Sequence, residues 1–248
     1  MKEKNILGID VGGTGIKLGV VDLSTGKLIT ERLRRKTPPE AHPRDVLKVI
    51  RQGIKDLDYS GPIGIGFPAK IINGYCKTAV NVSSRWLDFD LHAFFEKELG
   101  EEIRIANDAD VAGMAEYQYG TTGMKDYDQV LFLTVGTGIG SALFVKGHLV
   151  RNTELGLMKY KKNILELHAS NRIRSEKELS WSKWGKRLNN VMHYLHRVIT
   201  LDLIVMGGGV SKQFEKYEKH LDLEIPVRPA SLKNEAGVIG AALLWDEE

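Results

Sequence analysis

Residues 8–20 read Gly8-Ile9-Asp10-Val11-Gly12-Gly13-Thr14-Gly15-Ile16-Lys17-Leu18-Gly19-Val20. The apolar residues on either side of the glycine-rich centre predict two buried strands. Glycine adopts the positive φ angles of tight turns at little cost, so the centre predicts a hairpin. A turn at residues 22–26 and a third strand from Lys27 to about Arg34 extend this hairpin into an antiparallel meander.

Two charged residues flank the turn of this hairpin. Asp10 precedes it and Lys17 follows it. A carboxylate that can hold a divalent ion, exposed backbone amides and a cation together suit a phosphate group. The Walker spacing is absent, and a strand rather than a helix follows the turn, which argues against a P-loop and a dinucleotide fingerprint. For this stretch alone, an ordinary hairpin remains the alternative.

A similar pattern recurs in residues 130–145, where Gly136-Thr137-Gly138 separates two apolar strands. We therefore expect two similarly built lobes whose glycine hairpins face one central cleft. The N-terminal lobe is predicted over residues 1–108 and 233–248, and the C-terminal lobe over residues 109–232. Strands and helices alternate along the chain, which predicts an α/β class with mixed sheets. A chance resemblance between two glycine-rich strings is the alternative.

The composition limits the classes of protein that remain. The chain has 248 residues and a formal net charge of +3, without the basic excess typical of nucleic-acid binding. Cys76 is the single cysteine, which excludes an internal disulfide and a cysteine-based zinc site. The sequence has neither a signal-peptide pattern nor an apolar run long enough to cross a membrane. We expect a cytoplasmic protein without a nucleic-acid or membrane partner.

Asp108 is the candidate general base. It follows a predicted strand over residues 103–106, at the end where open α/β sheets place their ligands. It also begins a predicted helix, so an N-cap is the alternative role. Together with two phosphate-type hairpins, a carboxylate at this position suits phosphoryl transfer to an alcohol.

Two further segments carry candidate binding groups. Gly207-Gly208-Gly209 follows a buried strand, and a helix is predicted to start near Ser211, so an anionic or flat ligand can approach the glycines. A tight strand-to-helix connection is the alternative. Glu154 precedes Gly156 in a loop and can accept a hydrogen bond from a sugar hydroxyl, unless it is an ordinary surface residue.

Six segments form a recognisable set: Asp10-Val-Gly-Gly-Thr-Gly-Ile-Lys17, residues 81–86 (Asn81-Val82-Ser83-Ser84-Arg85-Trp86), Asn107-Asp108-Ala109-Asp110, residues 133–142, Asn152-Thr-Glu-Leu-Gly156 and residues 205–211. In this order they resemble the ROK family (repressors, open reading frames and kinases) of sugar kinases, and within it the polyphosphate glucokinases. The resemblance covers nearly the whole chain. It implies the two-lobed actin-like (ribonuclease H-like) ATPase fold with a central cleft.

The resemblance also implies a glucokinase activity with a defined set of sugar-binding residues. Asp108 would deprotonate the 6-hydroxyl of glucose. The residues implied to bind the sugar are Asn81, Asn107, Asp108, Glu154 and Glu166.

On the donor side, the resemblance implies polyphosphate or ATP as the phosphoryl donor and Mg²⁺ held with the help of Asp10. A homodimer is also implied, whereas the cysteine-rich zinc motif of many ROK members is missing. The residues implied to hold phosphates are Asp10, Gly12, Gly13, Thr14, Lys17, Thr137 and Gly138. The residues implied to contact a nucleotide are Gly207, Gly208 and Gly209.

Two positions depart from the family pattern. Leu157 stands where the family has a sugar-binding histidine, and a buried hydroxyl without its partner loses about 1–3 kcal/mol. Ala69 stands where relatives usually have glycine close to the sugar. These departures keep two alternatives open, a kinase for another hexose and a non-catalytic sugar or nucleotide sensor.

A polyphosphate donor needs a basic track. The candidates from the sequence are Lys17, Arg85, Lys125 and Lys146, although each is by default a solvated surface charge.

Overall fold

A computed structural model describes residues 5–80 and 82–246 of the chain. The described residues form two compact units. Unit 1 comprises the described parts of Met1–Tyr119 and Glu235–Glu248, and unit 2 comprises Gly120–Asn234.

The strands are β1 (Asn5–Val11), β2 (Ile16–Asp22), β3 (Lys27–Leu28), β4 (Leu33–Arg35), β5 (Ile63–Phe67), β6 (Ile71–Ile72), β7 (Tyr75–Cys76), β8 (Ile103–Asn107), β9 (Gln129–Val135), β10 (Ile139–Val145), β11 (His148–Val150), β12 (Lys159–Tyr160), β13 (Asn163–Ile164), β14 (Leu203–Gly207) and β15 (Val227–Pro229). The α-helices are α1 (Pro43–Asp56), α2 (Leu91–Leu99), α3 (Asp108–Tyr119), α4 (Glu166–Ala169), α5 (Asn171–Glu176), α6 (Trp181–Val198) and α7 (Ala236–Leu243).

The main sheet of unit 1 has the strand order β3-β2-β1-β5-β8, with β4 also paired to β2. β1 and β2 are antiparallel, whereas β1, β5 and β8 are parallel. The interiors of β1 and β5 are buried throughout, as expected of strands covered on both faces. The carboxyl ends of three parallel strands therefore lie together at one edge of this sheet.

The main sheet of unit 2 has the order β11-β10-β9-β14-β15. β9, β10 and β11 form an antiparallel meander, and β9, β14 and β15 are parallel. The strand order of unit 1 is thus repeated in unit 2, in agreement with the recurring sequence pattern.

The two units divide after Tyr119 rather than after the expected residue 108. The reason is that α3 packs on α7 through contacts that admit no side chain. A Cβ placed on Gly240 of α7 would lie 1.7 Å from the carbonyl oxygen of Val111 in α3. Such a close helix pair keeps α3 with unit 1.

Two predicted elements differ from those observed. The third strand predicted from Lys27 is split into β3 and β4, because the side chain of Thr30 accepts the hydrogen bond from the Val20 backbone amide. The predicted helix near Ser211 is a 3₁₀ segment, Gly209–Lys216, with a non-helical residue at Gln213.

Each unit has its own aromatic and aliphatic core. In unit 1, Trp86 is fully buried and its ring contacts Phe67, Phe89 and Phe95. In unit 2, Trp184 packs edge-on against Tyr217. Among the helices of the described residues, none combines the length and the hydropathy that a membrane span requires.

Candidate functional site

The first glycine turn, Gly12–Gly15, joins β1 to β2. The Gly12 amide donates to the Gly15 carbonyl at 3.1 Å, and the Thr37 hydroxyl donates to the Gly12 carbonyl at 2.6 Å. Gly13 and Thr14 are exposed at its tip. The predicted hairpin is present, but none of the four turn residues, all of which the structure describes, has a positive φ. Its glycines provide room instead, since a Cβ on Gly15 would lie 2.9 Å from the Arg34 guanidinium.

Asp10 and Lys17 are directly opposite each other in the β1–β2 register. The Lys17 ammonium donates to Asp10 Oδ2 at 2.5 Å, and Asp10 is only 8% exposed. Gly237, at the start of α7, leaves room for this carboxylate, because a Cβ there would lie 2.6 Å from Asp10 Oδ2. The pair is thus held by two strands and one helix.

Among the described residues, no group of three or more histidine, cysteine, aspartate or glutamate side chains could hold a metal ion. Mg²⁺ is usually bound by one or two carboxylates together with substrate phosphates rather than by a protein cage. A single buried carboxylate beside an exposed glycine turn fits that mode of binding. Asp10 is therefore compatible with the magnesium role that the resemblance implies.

Asp10 and Asp108 belong to the same edge of the unit 1 sheet. In the parallel register Asp10 lies opposite Gly66, and Gly66 lies opposite Ala106. Neighbouring strands are about 4.8 Å apart, so the backbones of β1 and β8 are separated by about 10 Å at this edge. Asp108 directly follows β8, and a Cβ on Gly66 would lie 3.5 Å from its Cα.

The cap of α3 is Asn107 rather than Asp108. Asn107 Oδ1 accepts hydrogen bonds from the amides of Ala109 and Asp110, at 2.9 and 3.1 Å. Those amides belong to the first turn of the helix, where an N-cap side chain bonds. Asp108 is half-buried, and its Oδ1 accepts from the Ala109 amide at 2.8 Å. Both side chains therefore bond the first turn of α3, Asn107 with two amides and Asp108 with one.

The same contacts restrict the predicted sugar role of Asn107. Its amide nitrogen also donates to the Ala69 carbonyl at 3.1 Å, and the residue is buried. An asparagine has two donor hydrogens and two acceptor sites, so these contacts occupy both acceptor sites and one donor of Asn107. Asn81, the other predicted sugar ligand of this unit, lies outside the described residues.

The second glycine turn, Gly136–Gly138, joins β9 to β10 in unit 2. The Gly136 amide donates to the Gly138 carbonyl at 3.0 Å. Glu166 is buried, and its Oε2 accepts from the Ile139 amide, next to the turn, at 3.4 Å. The loop that carries Glu154 approaches the same residue, since a Cβ on Gly156 would lie 2.0 Å from the Ile139 carbonyl oxygen. Both acidic segments therefore meet beside the second turn.

Glu154 is held in a left-handed conformation, with φ of 41°. Such a φ is uncommon for a residue with a side chain and persists where neighbouring contacts enforce it. Here Ser141 supplies those contacts, because its hydroxyl accepts from the Leu155 amide at 2.9 Å and its carbonyl from the Thr153 hydroxyl at 3.0 Å. The half-buried Leu157 follows in the same loop and offers no hydrogen bond to a ligand.

Gly207–Gly209 lies at the carboxyl end of β14, beside the second turn. Gly207 is opposite Thr134 in the parallel register. Gly208 has φ of 73°, and a Cβ there would lie 2.7 Å from the backbone of Val135. In unit 2 the structure thus brings this glycine loop next to the predicted phosphate turn.

Sequence reasoning missed two residues at the first turn. Arg34 Nη2 donates to the Thr14 carbonyl at 3.4 Å, and Gly237 adjoins Asp10. The signal for Arg34 was the basic run over residues 32–36, whereas no local signal marks Gly237. Of the four predicted track residues, Lys17 adjoins the turn. Arg85 lies in a 3₁₀ turn of unit 1, and Lys125 and Lys146 belong to unit 2.

Comparison with known proteins places these features in context. The sequence profile of the ROK family matches residues 6–158. A polyphosphate glucokinase of Mycobacterium tuberculosis is 38% identical over 242 residues, covering 97% of this chain and 91% of that protein.

Solved structures show the same likeness. The inorganic polyphosphate/ATP-glucomannokinase of Arthrobacter sp. strain KM superposes with a TM-score of 0.94 at 38% identity, covering 98% of this chain and 99% of its own. A ROK family glucokinase of Streptomyces griseus, crystallised with glucose and AMPPNP, gives a TM-score of 0.83 at 20% identity over 97% of this chain and 98% of its own. The predicted α/β fold of the actin-like ATPase class with mixed sheets is confirmed.

Proposed function

The chain belongs to the ROK family, and we propose that it is a glucokinase that transfers a phosphoryl group from polyphosphate or ATP to the 6-hydroxyl of glucose. One observation carries the proposal: the likeness to a polyphosphate glucokinase and to a polyphosphate/ATP-glucomannokinase extends over nearly the whole chain. The alternatives raised by Leu157, another hexose or a non-catalytic sensor, are not favoured by these relatives.

Asp108 acts in this proposal as the general base that removes the proton of the attacking hydroxyl. Its support is position: it follows β8 at the sheet edge where β1 leads into the first glycine turn, and Asn107 already caps the helix. A positioned base contributes about 10²–10⁴ to a rate. The rest of the acceleration comes from holding the donor in line and neutralising its charge.

The donor phosphates are assigned to the first turn with Lys17 and to Thr137 and Gly138 of the second. Asp10 would hold Mg²⁺, which when bound neutralises phosphate charge. Lys17 keeps the Asp10 carboxylate in a fixed position, at 2.5 Å from its own ammonium. If ATP is the donor, the nucleotide is assigned to Gly207–Gly209.

The sugar hydroxyls are assigned to Glu154, Glu166 and Asn107, together with Asn81. Glu166 and the loop that carries Glu154 adjoin the same turn of unit 2, which supports a shared ligand. The homodimer and the cytoplasmic location expected from the resemblance also belong to the proposal. Light scattering of the purified protein tests the dimer.

The direct test is an assay for glucose 6-phosphate with Mg²⁺, glucose and either ATP or long-chain polyphosphate. We expect product with at least one donor. We also expect the enzyme to phosphorylate mannose as a second sugar, because the Arthrobacter relative is named a glucomannokinase. Asp108→Asn should lower kcat by about 10³-fold and leave glucose binding within about threefold. Asp45→Asn, which alters an exposed first-turn carboxylate of α1, is the matched control. Full turnover by Asp108→Asn would refute the assignment of the base.

A further inference from the structure

A row of three charged residues crosses the unit 1 sheet. Asp10 lies opposite Lys17 in the β1–β2 register, and Lys17 lies opposite Arg34 in the β2–β4 register. Residues directly opposite in antiparallel strands project from the same face and are neighbours. The row runs from the buried Asp10 through the half-buried Lys17 to the exposed Arg34. It leads from the proposed reaction site to the surface.

The segment that follows in the chain borders the first glycine turn. Arg34 packs over Gly15 and donates to the Thr14 carbonyl, and Thr37 donates to the Gly12 carbonyl. Residues 34 and 37 are therefore fixed at opposite ends of the turn. Lys36 is exposed and lies between them in the chain.

The charges of this segment are not neutralised alike. Arg35 pairs with Asp56 of α1 at 2.7 Å. Within residues 5–80 and 82–246, no carboxylate forms an ion pair with Arg34 or with Lys36. Two exposed cations beside a turn of glycines are thus available to an anion.

We propose that Arg34, assisted by Lys36, binds the part of a polyphosphate chain that extends beyond the transferred phosphoryl group, and so favours polyphosphate as donor. The inference rests on the proposed function, because it assumes that the donor ends at the first glycine turn. Every internal unit of polyphosphate carries negative charge. Arg34 and Lys36, two exposed cations next to each other on the segment that borders the turn, can therefore bind successive units.

The chemistry of Arg34 suits this ligand better than it suits ATP. A guanidinium donates two parallel hydrogen bonds to phosphate oxygens, and such charge-assisted bonds are about twice as strong as neutral ones. ATP has only three phosphates before its nucleoside, which is assigned to the Gly207–Gly209 loop of unit 2. Loss of Arg34 should therefore weaken polyphosphate much more than ATP.

The test compares Arg34→Gln and Arg34→Lys with the wild-type enzyme, using ATP, tripolyphosphate and long-chain polyphosphate. For Arg34→Gln we expect the KM for long polyphosphate to rise about tenfold, with a smaller rise for tripolyphosphate and less than a threefold change for ATP. Arg34→Lys should recover part of the loss. The control is Arg44→Gln, an exposed arginine at the other end of α1 from Asp56, and its kinetic constants should match the wild type.

A binding titration without glucose makes the inference independent of turnover. Long-chain polyphosphate is titrated into the wild-type protein and Arg34→Gln at several salt concentrations. The variant should bind more weakly, and its affinity should fall less steeply with salt, because it forms fewer ion pairs with the polyphosphate. Equal losses with ATP and polyphosphate, or unchanged polyphosphate binding, would overturn the role of Arg34. A wild-type enzyme that phosphorylates no sugar would instead overturn the proposed function.

Discussion

The two glycine hairpins have the same place in their sheets but differ in chemistry. In unit 1 the second cross-strand pair before the turn is Asp10 and Lys17, which form a salt bridge at 2.5 Å. The corresponding pair in unit 2 is Thr134 and Gly140, without a charge. The same strand order therefore supports a charged turn in one unit and an uncharged turn in the other.

For the proposed site, this difference means that charged contacts with the donor come from unit 1. The charged pair of unit 1, extended by Arg34, suits the highly charged phosphoryl donor. The turn of unit 2 has only backbone amides and the Thr137 hydroxyl for the phosphates assigned to it. The loop of Glu154 and the Glu166 side chain, proposed for the neutral hydroxyls of the sugar, lie beside it. Repetition of a fold thus does not imply repetition of its electrostatics.

Among changes to the two hairpins, the largest effect is expected where the charged pair is broken. Asp10→Asn keeps the shape but removes the charge proposed to hold Mg²⁺, so kcat should fall by about 10²–10³-fold. Thr134→Ala, at the corresponding position of unit 2, should cost less than threefold. Steady-state kinetics with saturating glucose and ATP measures both. Equal losses would show that the two hairpins contribute alike and would contradict the comparison.

A second prediction separates the site from the scaffold of unit 1. In Gly237→Ala the new methyl group would lie 2.6 Å from Asp10 Oδ2 and displace the carboxylate, so we expect about a tenfold lower kcat. Thermal stability should change little. The higher helix propensity of alanine, up to about 1 kcal/mol over glycine, offsets the cost of the contact with Asp10.

The paired variant is Gly240→Ala, on the same helix. Its methyl group would meet the Val111 backbone at 1.7 Å and force α7 away from α3. We expect a large fall in melting temperature there. If Gly237→Ala loses stability rather than activity, Gly237 serves packing alone.

The sequence predicted those features of the site that are local in the chain. Each hairpin is encoded within a short stretch, and Asp108 follows its strand directly. The reason for the first glycines was wrong, however. The sequence pattern suggests positive φ for them, whereas Gly15 makes room for the side chain of Arg34, which lies on β4.

The features that the sequence did not predict depend on distant contacts. Gly237 adjoins Asp10 although the two are far apart in the chain, because α7 packs against β1. The sequence offers Asp108 as an N-cap, whereas most of the cap bonds come from Asn107, one residue earlier. A shift of one residue at a helix start changes which side chain supplies most of the cap bonds.

A third prediction sharpens the uncharged side of the comparison. Leu157→His would place a donor where the family has a histidine, in the loop of Glu154. If a sugar hydroxyl lies there without a partner, the new hydrogen bond should lower the KM for glucose by about three- to tenfold. Leu157→Ala, which adds no donor, should bring no gain. An unchanged KM for Leu157→His would mean that this hydroxyl is already satisfied.

The smallest expected effect concerns pH and His168, in the helix that carries Glu166. Burial, and then the positive charge of Arg187, lower the pKa of His168, and its Nε2 is buried without a hydrogen-bond partner among the described residues. The folded protein therefore binds a proton less readily than the unfolded chain, whose histidine pKa is about 6.5. Stability from this group is complete above that value and is lost as the pH falls towards the folded pKa.

His168→Gln removes this titration. Between pH 7.5 and 5.5 the wild-type melting temperature should therefore fall about 1–2 °C further than that of the variant. His92→Gln, at a half-buried histidine on α2 of unit 1, is the control and should follow the wild type. Parallel curves for His168→Gln and the wild type would show that protonation of His168 does not affect unit 2. A divergence confined to His168→Gln would show that unit 2 depends on an uncharged histidine, whereas the site in unit 1 is built on an ion pair.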